Sequence, residues 1–173
     1  MRALLQRCEV RSFEPGDAPS LARHANNRAI WRNLRDVFPH PYAEADAVAF
    51  IARTQSHRPE RDFAIVVEGE AIGAVGLKLH DDVERVSAEL GYWLGEEFWG
   101  RGITTEVVRE VTRHGVDQLR LTRLYALPFE WNAASCRVLE KAGYVLEARL
   151  RRAAIKEGRI IDQFQYAFVA PEE

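Results

Sequence analysis

The chain has 173 residues, of which 47% are hydrophobic and 29% charged, with a formal net charge of −2, a balance that suits one globular domain over 1–173 with a substantial core. The weak net charge gives no global basic field, which argues against nucleic acid as a partner, and no stretch approaches the ~20 apolar residues of a membrane span. Nothing after Arg2 and Arg7 reads as a signal peptide, and Cys8 and Cys136 are too few for a disulfide framework or a zinc cluster, so the expectation is a cytoplasmic, membrane-free protein with two buried free thiols.

Leu4 to Phe13 reads as a first strand, closed by the turn signal Glu14-Pro15-Gly16-Asp17. Asp17 or Ser20 then caps a helix running to Asn26 or Asn27, and residues 28–34 form a second short helical piece. Phe38-Pro39-His40-Pro41-Tyr42 cannot be regular helix, because each proline lacks an N–H and restrains the residue before it. Ala43 to Gln55 is a helix with Ala47, Val48 and Ile51 on one face. Asp62–Val67 and Ala71–Leu79 are strands joined by a Glu68-Gly69 hairpin turn, and Gly73 and Gly76 mark a bulge or a close backbone approach in the second. A turn at Asp81-Asp82 leads into a long antiparallel strand from Val83 to Leu94.

A helix follows from Ile103 to Leu119, with Val107, Val108, Val111 and Gly115 on one face, and then a strand from Leu121 to Leu127. Strand, helix, strand implies a parallel pairing with a right-handed crossover. Asn132 caps the last helix, which runs to Ala142 and stops at Gly143. Two strands close the chain, 144–152 and 160–169, turned by Lys156-Glu157-Gly158-Arg159.

The stretch that carries chemistry is 90–106. A buried strand ends at Gly95, a loop holds Gly100-Arg101-Gly102, and a helix begins at Ile103. A helix start presents N–H groups without partners, its dipole favours negative charge, and glycines let a ligand come close. The loop therefore suits a phosphate or diphosphate, with Thr104 and Thr105 adding hydroxyls. A Walker loop would need Lys and Ser/Thr where Arg101 and Gly102 stand, and a dinucleotide fingerprint would need a third glycine where Thr105 stands, so a nucleotide-binding domain, with affinity for ATP or NAD, stays as a rival that fits the motifs less well. An ordinary strand-to-helix turn is the bland alternative.

Tyr92-Trp93-Leu94, an acidic spacer, Phe98-Trp99-Gly100-Arg101-Gly102-Ile103 and the Thr pair resemble the coenzyme A loop of the GNAT N-acetyltransferases, nearest the branch that acetylates ribosomal-protein N-termini. The run Asn132-Ala133-Ala134-Ser135, leading to Leu139 and Gly143-Tyr144, is similar to that family's second motif. The resemblance implies an α/β (α+β) fold. Its sheet is mixed, largely antiparallel, of about seven strands, splayed between the fourth and fifth. It also implies acetyl-CoA as cosubstrate, with no metal. Trp93, Leu94 and Gly95 would offer backbone groups to the pantetheine arm, a backbone N–H near Leu94 would face the thioester carbonyl, and Gly100, Arg101, Gly102, Ile103, Thr104 and Thr105 would hold the diphosphate. Asn132 would bond the arm, and Ser135 would stand near the sulfur as a donor to the leaving thiolate. The loop departs from the family at Glu97, where Gln or Arg is commonest, and Arg101 is the candidate to compensate.

The acceptor amine must be neutral to attack. An α-amine with a pKa of ~7.7–8.0 is already partly neutral at physiological pH, whereas a lysine or polyamine amine at ~10.4 is neutral in about one part in a thousand. Glu89, in phase with Gly91 and Trp93, is the first candidate for the base, with a cross-strand ion pair as its bland reading. His80 is a weaker one, and His24, His40, His57 and His114 are placed on surfaces or loops. The acceptor cleft would run from Trp31 through Phe38 to Tyr42, with Glu89 and the hairpin at Glu157-Gly158. Rival acceptors are small amines, polyamines and aminoglycosides. A rival of another class is a coenzyme A-binding sensor without turnover. Nothing chooses between monomer and homodimer.

Overall fold

The computed structural model describes residues 1–172. In chain order its elements are β1 (Arg2–Leu4), β2 (Glu9–Arg11), α1 (Ala18–Ala25), α2 (Arg28–Trp31), α3 (Glu44–Ser56), β3 (Asp62–Val67), β4 (Glu70–Leu79), β5 (Ser87–Leu94), α4 (Ile103–Asp117), β6 (Arg123–Ala126), α5 (Ala133–Lys141), β7 (Val145–Lys156) and β8 (Arg159–Val169). The strands form one open mixed sheet of eight, in the order β1-β2-β3-β4-β5-β6-β8-β7. The count is eight and not about seven because the expected first strand, 4–13, is a hairpin. The polar pair Gln6-Arg7 lets Leu5 N–H turn onto Cys8 O at 2.8 Å, and Arg2 comes to pair with Arg11.

β5 and β6 run in parallel, from Ser87 opposite Arg123 to Glu89 opposite Tyr125, and β5 then continues from Leu90 to Leu94. Its start is Ser87 and not Val83, because Asp82 takes a φ of +50° and opens a helical turn over Asp82–Glu84, leaving Val83 exposed.

By backbone contacts the chain divides into two units, and β4, β5 and α4 each contribute to both. The first unit joins Met1–Gly76 to Tyr92–Val107. Its core sets Leu21 and Ala25 of α1, Ala47 and Ile51 of α3, and Phe13 and Tyr42 against Ala64, Val66, Ala71 and Ala74 of the sheet. The alanines let the helices come close, and the burial of the larger apolar side chains supplies the driving force. The buried stripe of α3 is Ala47, Ile51 and Thr54, spaced i, i+4, i+7; Val48 lies off it and is 54% exposed, contrary to the sequence expectation. Asp17 does not cap α1 with its side chain. Its carboxylate instead accepts from both terminal nitrogens of Arg11, at 2.8 and 2.7 Å. The expected close approach at Gly73 is present: a Cβ there would collide with the Trp93 carbonyl oxygen.

The second unit joins Leu77–Gly91 to the chain from Val108 onward. Gly115 of α4 lies on Leu77, Leu121 and Leu124, whose methyls would come within 3.0–3.4 Å of an added Cβ. Buried Thr112 and Tyr144 share a hydroxyl hydrogen bond of 2.7 Å. β8 lies between β6 and β7, and β7 runs on to Lys156, which is buried; only Glu157-Gly158, with φ of +50° and +73°, makes the turn.

Candidate functional site

At the end of β5, Gly95 N–H donates to Ile72 O of β4 at 2.7 Å. Successive N–H groups of a strand point to opposite edges. Leu94 N–H therefore faces away from β4, as a donor to a ligand's carbonyl would have to. The Gly95 amide is itself used within the protein, and by the same alternation Trp93 faces β4, its carbonyl oxygen lying against Gly73, so of the expected Trp93–Gly95 set Leu94 is the residue turned away from β4. Leu94 O accepts the indole N–H of Trp99 at 2.7 Å, and Gly95 O accepts Phe98 N–H at 3.0 Å. Together these bonds fix the turn over Glu96–Phe98 that leads to the glycine loop.

Beneath that turn lies His24, expected from the sequence on a surface or loop. It is buried, because Leu21, His24 and Ala25 share the inner face of α1 at i, i+3 and i+4. Its Nε2 is 2.8 Å from Glu70 Oε1, its Nδ1 is 3.3 Å from Glu97 Oε1, and its ring meets Phe98 edge-on at 5.6 Å. Glu70 also pairs with Arg23. Burial lowers the His24 pKa, Arg23 lowers it further, and Glu97 opposes them. A Cβ on Gly95 would stand 2.9 Å from His24 Nδ1, so glycine is what allows strand and histidine to touch.

The loop carries two left-handed glycines, Gly100 with φ +76° and Gly102 with φ +80°. Gly102 is the residue before α4, and Glu106 N–H returns to its carbonyl at 3.3 Å. With no side chain at that position, the first N–H groups of α4 have no capping oxygen from it. Ile103 is buried, whereas Thr104 and Thr105 are half-buried at the helix start. Arg101 is turned back on its own segment. It donates to Glu97 O at 2.7 Å, and its guanidinium lies over the Phe98 ring at 5.2 Å.

Of the expected acceptor residues, Phe38 and Tyr42 come together with ring centroids 4.9 Å apart, and Phe38 meets Trp93 edge-on at 5.7 Å. Trp31 stacks on His40 at 5.5 Å. Burial pushes the Tyr42 phenol up to about 12, which keeps it neutral at any physiological pH.

In the second unit Glu89 lies opposite Tyr125, whose hydroxyl is 2.9 Å from His80 Nε2. Tyr125 was missed because one strand's partner is not written in the other's sequence. Asn132 is the N-cap of α5, its Oδ1 accepting Ser135 N–H at 3.1 Å. The amide nitrogen of Asn132 is not part of that cap.

The model of an acetyltransferase (GNAT) domain matches residues 7–145. The probable N-acetyltransferase YjcK of Bacillus subtilis is 36% identical over 171 residues, 95% of this chain and 94% of that one. The ribosomal-protein-serine acetyltransferase of Escherichia coli is 29% identical over 105 residues, 61% of this chain and 58% of that protein. Among solved structures, the ribosomal L7/L12 α-N-protein acetyltransferase RimL in complex with coenzyme A superposes with a TM-score of 0.85, at 20% identity over 97% of each chain. The eight-stranded sheet, the glycine loop opening α4 and a family match over most of the length agree, and this chain belongs to the GNAT family of acetyl-CoA-dependent N-acetyltransferases.

Proposed function

We propose that the acceptor is the α-amine of a protein N-terminus, of the ribosomal-protein type. The observation that carries the catalytic reading is the direction of Leu94 N–H. It faces away from β4, in the part of β5 that runs on past its last parallel pair with β6. A donor in that place would stabilise the thioester oxyanion; losing one such donor in other enzymes costs about 2.7–4 kcal/mol. The Leu94 edge of β5 faces the pantetheine arm, and the amides of Gly100 to Thr105 take the diphosphate. The amine nitrogen attacks the carbonyl carbon and the C–S bond breaks. Sulfur leaves as a thiolate and takes a proton from Ser135 or from water, while Glu89 receives the surplus proton of the amine. A thiol pKa of ~8.5 means the leaving group needs little acid help. Asn132 adds its amide N–H to the arm.

The acceptor assignment rests on the amine's pKa and on surface type. The Phe38–Tyr42–Trp93 wall is aromatic. Such a wall receives a peptide's first side chain, and an α-amine is neutral far more often than the amines of a polyamine. The test is thiol release from acetyl-CoA with peptides beginning Ala, Ser or Met, beside spermidine and an aminoglycoside. Peptides should be acetylated with kcat/KM at least about tenfold above either polycation. A preference for the polycations overturns the acceptor, and coenzyme binding without release across the panel supports the sensor reading.

A further inference from the structure

We infer that Arg7, on the turn between β1 and β2, is the side chain that contacts the diphosphate of acetyl-CoA, taking the role that the sequence offers to Arg101. The inference rests on the proposed acetyl-CoA reading of the Gly100–Thr105 loop. Arg101 is committed to Glu97 O and the Phe98 ring. Arg7 comes to the loop from far away in sequence. A Cβ on Gly102 would meet its Nε at 3.6 Å and its Cζ at 3.8 Å, so the guanidinium stands beside the left-handed glycine that opens α4.

One edge of that guanidinium is held. Nη1 pairs with Glu106 Oε1 and donates to Gln6 Oε1 at 3.1 Å, while the backbone N–H of Arg7 donates to Glu106 Oε2 at 3.2 Å. The other edge, Nε and Nη2, makes no hydrogen bond among the described residues. That edge carries two parallel N–H donors, the fork that matches two oxygens of one phosphate. A cation at the mouth of a helix is disfavoured by the helix dipole. Glu106, on the first turn of α4, offsets this and holds the side chain in place, so Arg7 is oriented before a ligand arrives.

Calorimetric titration with three ligands tests the assignment. Acetyl-CoA carries the diphosphate and the 3′-phosphate, 3′-dephospho-acetyl-CoA keeps only the diphosphate, and acetyl-pantetheine lacks both. Arg7→Gln should weaken acetyl-CoA and the dephospho analogue alike, by about tenfold or more, and leave acetyl-pantetheine unchanged. Arg113→Gln, which removes an equal charge from the exposed face of α4, should leave all three unchanged. Glu106→Gln separates contact from bracing. It weakens the brace but keeps the fork, so its acetyl-CoA affinity should fall by clearly less than that of Arg7→Gln. Should Arg7→Gln unfold before titration, Arg7→Lys keeps the ion pair without the fork and should show the same ligand pattern. Arg7 variants that bind acetyl-CoA as tightly as the unaltered protein overturn the inference, as does a Glu106→Gln loss equal to that of Arg7→Gln. An unaltered protein that ignores acetyl-CoA at millimolar concentration is a separate result and removes the underlying reading itself.

Discussion

Two helices in this molecule follow a strand and a short loop, and their mouths are built in opposite ways. At α5 the residue before the helix is Asn132, and its side-chain oxygen accepts Ser135 N–H at 3.1 Å. At α4 the corresponding residue is Gly102, in a left-handed conformation and with no side chain to offer. One mouth takes a capping oxygen from the residue before it and the other takes none from that position. Strand-loop-helix order alone therefore does not mark an anion site; the identity of one residue decides whether the helix start is capped by its own chain or leaves the amides that a phosphate would need.

The strongest way to break the contrast is to fill the open mouth with a branched side chain. Gly102→Val puts a β-branched residue at a φ of +80°, where L residues are strained, and crowds the amides a diphosphate would use. Loss of two charge-assisted bonds should weaken acetyl-CoA by about 100-fold in a calorimetric titration. An affinity within threefold of the unaltered protein would show that the loop does not hold the diphosphate.

A gentler change converts one mouth into the other. Gly102→Asn supplies a capping oxygen, and asparagine tolerates the left-handed region better than most residues. The melting temperature should hold while acetyl-CoA affinity drops by about tenfold, because one donor now serves the protein. The reverse experiment is at α5. Asn132→Ala should cost about 1 kcal/mol of stability through loss of the cap, whereas Asn132→Ser keeps a capping oxygen and most of the stability. If the Asn132 amide N–H also holds the pantetheine arm, Asn132→Ser still raises KM for acetyl-CoA. An unchanged KM confines Asn132 to the cap.

Legibility in the sequence follows the range of the forces involved. The glycine loop, the Asn132 cap and the Glu68-Gly69 turn are local, so the residues that demand them sit side by side and could be read directly. Glu68 and Gly69 take φ of +51° and +84°, as a tight hairpin turn requires. Long-range pairings could not be read. Arg7 reaches Glu106 across most of the first unit, Tyr125 lies opposite Glu89 only because of the parallel register, and Arg101, which looked like the loop's cation, prefers its own carbonyl and an aromatic ring. His24 was half-legible: the spacing of Leu21 and Ala25 puts it on the inner face of α1, but two glutamates from separate elements make that burial tolerable.

The contrast between the mouths extends to what lies under them, and there it becomes a matter of pH. Under the start of α5 is Cys136, a buried thiol whose pKa is raised chiefly by burial, so it stays neutral across the physiological range. Under the turn leading to α4 is His24, whose pKa is lowered by burial and by Arg23 against the pull of Glu97. An unfolded histidine takes a proton near pH ~6.5, and the buried one resists until the pH is lower. The folded state therefore binds fewer protons in that window. Stability contributed by neutral His24 is present in full above the unfolded pKa and is lost as pH falls towards the folded one, at no more than about 1.4 kcal/mol per pH unit. His24→Gln keeps a polar group against Glu70 and cannot titrate. Denaturant melts from pH 7.5 to pH 5 should show a shallower loss for the variant, and acetyl-CoA affinity should follow the same pH difference, since Gly95 and Phe98 rest on that ring. Parallel stability curves for the two proteins would mean that His24 takes up its proton as readily folded as unfolded, and that the turn before the open mouth is as insensitive to pH as the closed one.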